Sequence, residues 1–208
     1  MKEKGLFLVL EGPDKSGKST HAARLVRELR SRGRRVVHTR EPGGTAFAEA
    51  VRALLLSPRY SVCALAELFL YEAARAQHTE EVLLPALRRG AIVVCERYTL
   101  ATLAYQGFGR RLPLPMVRLL NRIATSGLRP RRTLVLDVPE ARFRDRDPGR
   151  RLDRLEREGR AFRRRVREGY RRLSRREPGT TVIDADRPIE AVHAELLRRV
   201  EPLLTKVG

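Results

Sequence analysis

Leu6-Phe7-Leu8-Val9-Leu10-Glu11-Gly12-Pro13-Asp14-Lys15-Ser16-Gly17-Lys18-Ser19-Thr20 passes from an apolar run through a glycine-punctuated turn into a helix-forming stretch, and that order decides the fold. Leu6 to Leu10 are apolar without alternation, as in a strand covered on both faces, and the strand closes at Glu11. Gly12 to Ser19 fit G-x-x-x-x-G-K-[ST] between that strand and a helix running from about Lys18 to Arg32. The glycines let successive backbone N–H groups wrap a phosphate. Lys18 is placed to reach β- and γ-phosphates, and the Ser19 hydroxyl is placed to ligate Mg²⁺. The pattern specifies nucleotide binding. Alone it does not separate a kinase from an ATPase, a GTPase or a nucleic-acid motor.

Outward from this turn, short apolar runs alternate with helical stretches. Gly33 stops the first helix and Val36–Arg40 is a second strand. Helices over Thr45–Leu56 and Val62–Arg89, the latter broken near Pro85, lead through Gly90 into a third strand, Ala91–Glu96. Helices follow from about Leu100 and over Pro115–Ser126, then a strand at Thr133–Asp137, a helix over about Leu155–Arg176, a strand at Thr181–Asp184, and a last helix opened by Pro188. This alternation predicts an α/β fold with a five-stranded parallel sheet and helices on both faces. Ligands of such folds lie beyond the carboxyl ends of the strands.

The chain has 208 residues, which fits a single domain, and 42% hydrophobic residues, enough for a core. Lys and Arg total 44 against 25 Asp and Glu, a net charge of +19, and 39 of the 44 are arginines. That charge calls for polyanionic partners or anionic substrates without choosing between them. No apolar stretch is long enough to cross a membrane, and Leu6–Leu10 is too short for a signal-peptide core. Cys63 and Cys95 have neither a disulfide framework nor metal-ligand spacing. They read as buried, reduced thiols of a cytoplasmic protein.

The other strand ends supply further candidates. Thr39-Arg40-Glu41-Pro42-Gly43-Gly44-Thr45 reads as a tight helix-entry turn capped by Thr45, with Arg40 facing the crevice. Glu96 can hold Mg²⁺, and Arg97 can clamp a phosphate with two hydrogen bonds; the same residues also suit a surface ion pair. Tyr71 and Arg75, four apart, share a helix face on which a ring could stack on a base beside a guanidinium that bonds its edge; a half-core, half-surface pair is the other reading. From Pro139 to Pro178 there are sixteen arginines, eight acids and no lysine. Arg142, Arg144, Arg146, Arg150 and Arg151 surround the turn Asp147-Pro148-Gly149, the pattern of a loop that closes over phosphate. The arginines of the following helix read as a solvated face rather than a nucleic-acid stripe.

The ensemble resembles the thymidylate kinases, which transfer phosphate from ATP to dTMP. The resemblance runs from Leu6 to about Leu204. It rests on the phosphate loop together with Thr39 to Thr45, Arg97-Tyr98, Ala104-Tyr105-Gln106-Gly107, and Leu152-Asp153-Arg154-Leu155-Glu156 beyond the lid. It implies a P-loop NTPase fold in one domain over residues 1–208, with an Arg-rich lid at about 142–153. It implies ATP binding by Gly12, Pro13, Asp14, Lys15, Ser16, Gly17, Lys18, Ser19 and Thr20, with Mg²⁺ at Ser19 and Glu96. Asp14 matches the carboxylate that holds the 3′-hydroxyl of dTMP, and Arg40 and Arg97 match phosphate-binding arginines. Tyr71 matches the aromatic that stacks on thymine, Arg75 the arginine on the base edge, and Thr102 a position often Ser or Asn. Tyr105 matches the tyrosine that excludes a 2′-hydroxyl, and Gln106 a base-contacting residue. Lys15, Lys18, Glu96 and Arg97 are the implied catalytic set. Family members are usually homodimers.

The sequence departs from the family in places. Glu96 stands where Asp is usual, and Arg131 replaces the usual acid after Pro130. The chain carries both Lys15 in the phosphate loop and lid arginines, either of which can supply transition-state charge; Lys15 is favoured because the loop fixes its position. Two other readings stay open: a diverged kinase with another monophosphate acceptor, and a nucleic-acid-binding NTPase suggested by the charge.

Overall fold

The computed structural model describes residues 5–142 and 152–205. Five strands, β1 (Leu6–Glu11), β2 (Val36–Arg40), β3 (Ile92–Glu96), β4 (Arg132–Asp137) and β5 (Thr180–Asp184), form one sheet in the order β2-β3-β1-β4-β5. Each neighbouring pair is parallel. Register brings Leu10 and Arg40 level with Glu96. Glu11, Arg40 and Glu96 therefore end their strands on one edge, where the phosphate loop begins.

The unbroken apolar run in β1 has its reason in two cores. Leu6, Leu8 and Leu10 face α1 (Lys18–Ser31), whose Ala22, Leu25, Val26 and Leu29 pack with residues of the last helix. Phe7 and Val9 face the opposite side with Val93, Cys95 and Tyr98. A strand buried on both faces cannot alternate polar with apolar residues.

The remaining helices are α2 (Ala46–Leu56), α3 (Ala64–His78), α4 (Leu84–Arg88), α5 (Thr99–Thr102), α6 (Leu114–Ala124), α7 (Arg160–Ser174) and α8 (Ile189–Leu204). Thr45 caps α2, its hydroxyl accepting from the Ala48 amide at 3.0 Å, as the sequence predicts.

Several boundaries differ from the sequence reading. The single helix expected over 62–89 divides into α3, a wider π-type turn at Thr79–Leu83, and α4. Pro85 does not break it, because it occupies the first turn of α4, where a missing N–H goes unused. A second π-type turn, Leu103–Gly109, continues α5. The helix expected from Leu155 begins at Arg160, because Asp153 bonds the Leu155 and Glu156 amides, both at 2.9 Å, and holds that stretch as a turn. Cys95 is buried, but Cys63 is exposed at the head of α3. No helix among the described residues is long and apolar enough to cross a membrane.

Candidate active site

Arg97 is the junction of the site. Its backbone sits in the left-handed region at φ 67°, directly after β3, which turns its side chain across the phosphate loop. The guanidinium donates to the Gly12 carbonyl at 3.1 Å, to the Tyr105 hydroxyl at 3.2 Å and to the Tyr170 hydroxyl at 3.3 Å, and it pairs with Asp14. Tyr105 also donates to Asp14 at 2.8 Å. Beneath them lies the fully buried Glu11, which accepts from Tyr170 at 2.9 Å and from the amides of Tyr98 and Ala101 at 2.8 and 3.0 Å. Burial raises the Glu11 carboxyl above its ordinary value against the pull of Arg97 and these hydrogen bonds. One carboxylate thus braces the start of α5 and the tyrosine that steadies Arg97.

Lys18 is folded into its own loop, donating to the carbonyls of Gly12 at 3.1 Å and Pro13 at 2.7 Å. Burial, then the neighbouring Arg97 charge, lowers its pKa to about 7. Ser19 donates to Glu96 at 2.5 Å, and His38 lies 2.9 Å from the same carboxylate. Burial raises the Glu96 carboxyl, but the bonds from His38 and Ser19 outweigh it and leave the group below its ordinary value. Lys15 stands in the left-handed region at φ 61°.

A cleft with about 530 Å³ of empty space opens beside Arg97. Of the residues predicted from sequence, Asp14, Tyr71, Arg75, Arg97, Thr102, Tyr105 and Gln106 line it together. Arg75 is almost wholly buried. It donates to Glu41 at 2.7 Å, Glu72 at 3.0 Å, Asn121 at 2.7 Å and the Tyr98 carbonyl at 3.2 Å. A guanidinium has five N–H groups, so one remains beyond these four, on a residue that lines the cleft. The Thr102 hydroxyl is buried with no hydrogen-bond partner among the described residues. Such a group in a cleft wall is an opening for a ligand. Burial pushes the Tyr71 phenol above its ordinary value, so it stays protonated.

Arg40 does not line the cleft; its half-exposed guanidinium bonds Glu49 at 3.3 and 3.4 Å. Arg52 of α2, passed over in the sequence, lines it instead and donates to the Pro42 carbonyl at 2.9 Å. Burial, then Arg40 and later Arg97, lowers the Arg52 pKa, so positive charges crowd this corner. Glu41, Pro42, Leu56, Asp153 and Leu155 were not singled out as lining residues either. Arg52 carries the only positive charge on α2, the one signal that could have found it.

A second cleft, lined by Lys15, Val138, Arg142, Phe162 and Arg167, shares Asp14, Tyr105 and Leu155 with the first. Arg142 donates to Asp186 at 3.1 Å. Arg144, Arg146, Arg150 and Arg151 lie outside the described residues. Thr20 is exposed on the first turn of α1.

The family model described as thymidylate kinase matches residues 10–196. A thymidylate kinase of Pelotomaculum thermopropionicum is 47% identical over 205 residues, covering 97% of this chain and 95% of the relative. One from Methylococcus capsulatus is 50% identical over 202 residues, covering 96% and 97%. The crystal structure of thymidylate kinase from Ehrlichia chaffeensis superposes with a TM-score of 0.78 at 30% identity, covering 95% of this chain and 98% of that one.

Proposed function

The chain belongs to the thymidylate kinase family, and from that premise we propose how its own residues transfer the γ-phosphate of ATP to the 5′-phosphate of dTMP, yielding dTDP and ADP. An oxygen of the acceptor phosphate attacks the γ-phosphorus in line, and the bond to the β-phosphate bridging oxygen breaks. The acceptor is already an anion, so no strong base is required. Catalysis is positioning and charge neutralisation.

The phosphate loop from Gly12 to Ser19, with Thr20, holds ATP, and Lys18 swings from its carbonyl partners to the β- and γ-phosphates. Asp14 takes the 3′-hydroxyl, Tyr105 closes the space of a 2′-hydroxyl, and Tyr71 stacks on the base. Arg75 directs its remaining N–H to the base edge, beside Thr102 and Gln106. Arg97 and Arg52 bind the acceptor phosphate, with Arg40 adding charge from outside the cleft. Lys15 supplies transition-state charge together with the arginines of a lid at about 142–153, in a single domain.

Ser19 and Glu96 are hard oxygen donors already in contact at the loop and suit Mg²⁺, whose remaining ligands would be phosphate oxygens and water. When bound, the cation neutralises charge on the phosphates. The longer Glu96 meets Ser19 with one oxygen while His38 lies against the other.

The observation that carries this assignment is Arg97, bonded at once to the loop carbonyl of Gly12 and to Asp14 and Tyr105 of the cleft. The test is a panel of nucleoside monophosphates assayed with ATP and Mg²⁺. dTMP should be the preferred acceptor; preference for CMP, UMP or a nucleoside overturns the assignment. In this reading the enzyme works in the cytoplasm as a homodimer. Phe47 and Leu54 of α2, Leu65 and Phe69 of α3, and Leu119 and Ile123 of α6 are exposed apolar side chains on helices packed side by side. Nucleic acid is not a partner in this reading, and its addition should not stimulate ATP hydrolysis.

A further inference from the structure

Glu67 of α3 touches no part of the phosphate loop, yet its side chain is fully buried and ionically saturated. Its Oε1 accepts from the Gln106 amide at 2.8 Å and from Arg110 at 3.1 Å. Its Oε2 accepts from Arg110 at 3.0 Å and from Arg154 at 2.6 Å. A carboxylate has about four lone-pair sites, so all are filled. Four donors, three of them guanidinium N–H groups, leave it only the accepting role towards Gln106. The group of Gln106 that faces it must therefore be the NH₂, whatever a ligand prefers. The Gln106 side-chain oxygen, Oε1, has no hydrogen-bond partner among the described residues, and the residue lines the cleft.

We propose that Glu67 is a specificity-determining positioning residue: it locks the Gln106 amide so that only an acceptor faces the base. The proposal rests on the reading above that Gln106 meets the base. Thymine offers a donor at N3, which an acceptor satisfies. Cytosine offers an acceptor at N3, which would face the Gln106 oxygen with no proton between them. A site holding a fixed acceptor discriminates by leaving the wrong base unpaired. The Arg75 N–H makes the matching choice at position 4, where thymine has a carbonyl and cytosine an amino group.

Glu67→Gln reverses the lock. Arg110 and Arg154 draw the new amide's oxygen towards themselves, its NH₂ turns to Gln106, and Gln106 must offer its oxygen inward and its NH₂ to the base. The kcat/KM for dTMP should fall roughly tenfold, mainly through KM, while that for dCMP rises. A merely structural defect lowers both together and cannot raise the second. An unchanged ratio, or an equal fall for both substrates, overturns the proposal.

Gln106→Leu separates this from failure of the underlying reading. If that variant keeps the dTMP preference, Gln106 does not read the base; if it loses the preference while Glu67→Gln keeps it, only the lock is wrong. Should Glu67→Gln fail to fold, the unaltered enzyme decides by NMR. The chain has one Asn and two Gln, hence three side-chain amides, and Gln106→Leu identifies the signal. The Gln106 NH₂ should keep its hydrogen bond to the Glu67 carboxylate when dTMP binds; transfer of that bond to the base overturns the lock.

Discussion

Arg75 and Glu41 stake the shape of the base pocket on a charge pair with almost no exposure to water. Glu41 also meets His78 at 3.0 Å, whose other nitrogen is 2.7 Å from Thr39. Burial opposes ionisation of Glu41, yet Arg75 and His78 hold its carboxyl below the ordinary value of 4.5. The resulting stability is present above that pH and is lost as pH falls beneath it. Glu41→Gln leaves Arg75 buried without its main counter-charge and should cost about 3–5 kcal/mol. Thermal melts should show it, and acidification from roughly pH 5 to 3 should lower the Tm of the unaltered protein more than that of the variant. Lys18 gives a second titration. Its pKa of about 7 should rise when a triphosphate arrives, so nucleotide binding takes up protons and weakens as pH climbs through 7. Calorimetry in buffers of different ionisation enthalpy measures this; a binding enthalpy independent of buffer at pH 7–8 means the lysine was already charged. Tyr71 and Arg75 were legible as a pair because helical spacing is local. Glu41, Asn121 and Glu67 were not, since their partners lie 34 to 87 residues away and only the fold brings them together.

The helical turn Leu103–Gly109 and α7 approach through glycines. A Cβ on Gly169 would stand 2.9 Å from the Cβ of Phe108, and one on Gly109 would stand 2.6 Å from the Phe162 ring. Tyr105 and Tyr170, one on each element, hold Arg97 between them. Gly169→Ala should force the two elements apart at about 1–3 kcal/mol, roughly 2–4 °C of Tm for each, and lower kcat by displacing Arg97. Differential scanning calorimetry and steady-state kinetics test both effects; an unchanged kcat would show that the tyrosines keep Arg97 in place despite the shift. The strands are legible because each holds consecutive apolar residues and ends at a charged one, Glu11, Arg40, Glu96, Asp137 or Asp184. The π-type turns escaped because they carry no periodic signature, and the 152–158 turn escaped because its Leu and Arg spacing imitates a helix.

Across the whole molecule, the β-α alternation announced the parallel sheet, while the charge of +19 said little about function. Many arginines are held in local pairs, such as Arg172 with Glu168 and Arg187 with Glu195, and the excess over the acids remains as surface charge that names no partner. The exposed apolar side chains of α2, α3 and α6 are invisible to a sequence reading, which assigns amphipathic helices their buried face and cannot see a second one. Sedimentation velocity should return a dimer, and Phe69→Glu, by placing charge at the centre of that face, should return a monomer. The phosphate loop carries a different lesson. Lys15 sits at a backbone angle that costs an L-residue with a side chain roughly 1–2 kcal/mol and costs glycine almost nothing. Random mutagenesis under selection for heat tolerance alone should therefore drift to glycine at this position, and the survivors should be sturdier proteins and poorer catalysts.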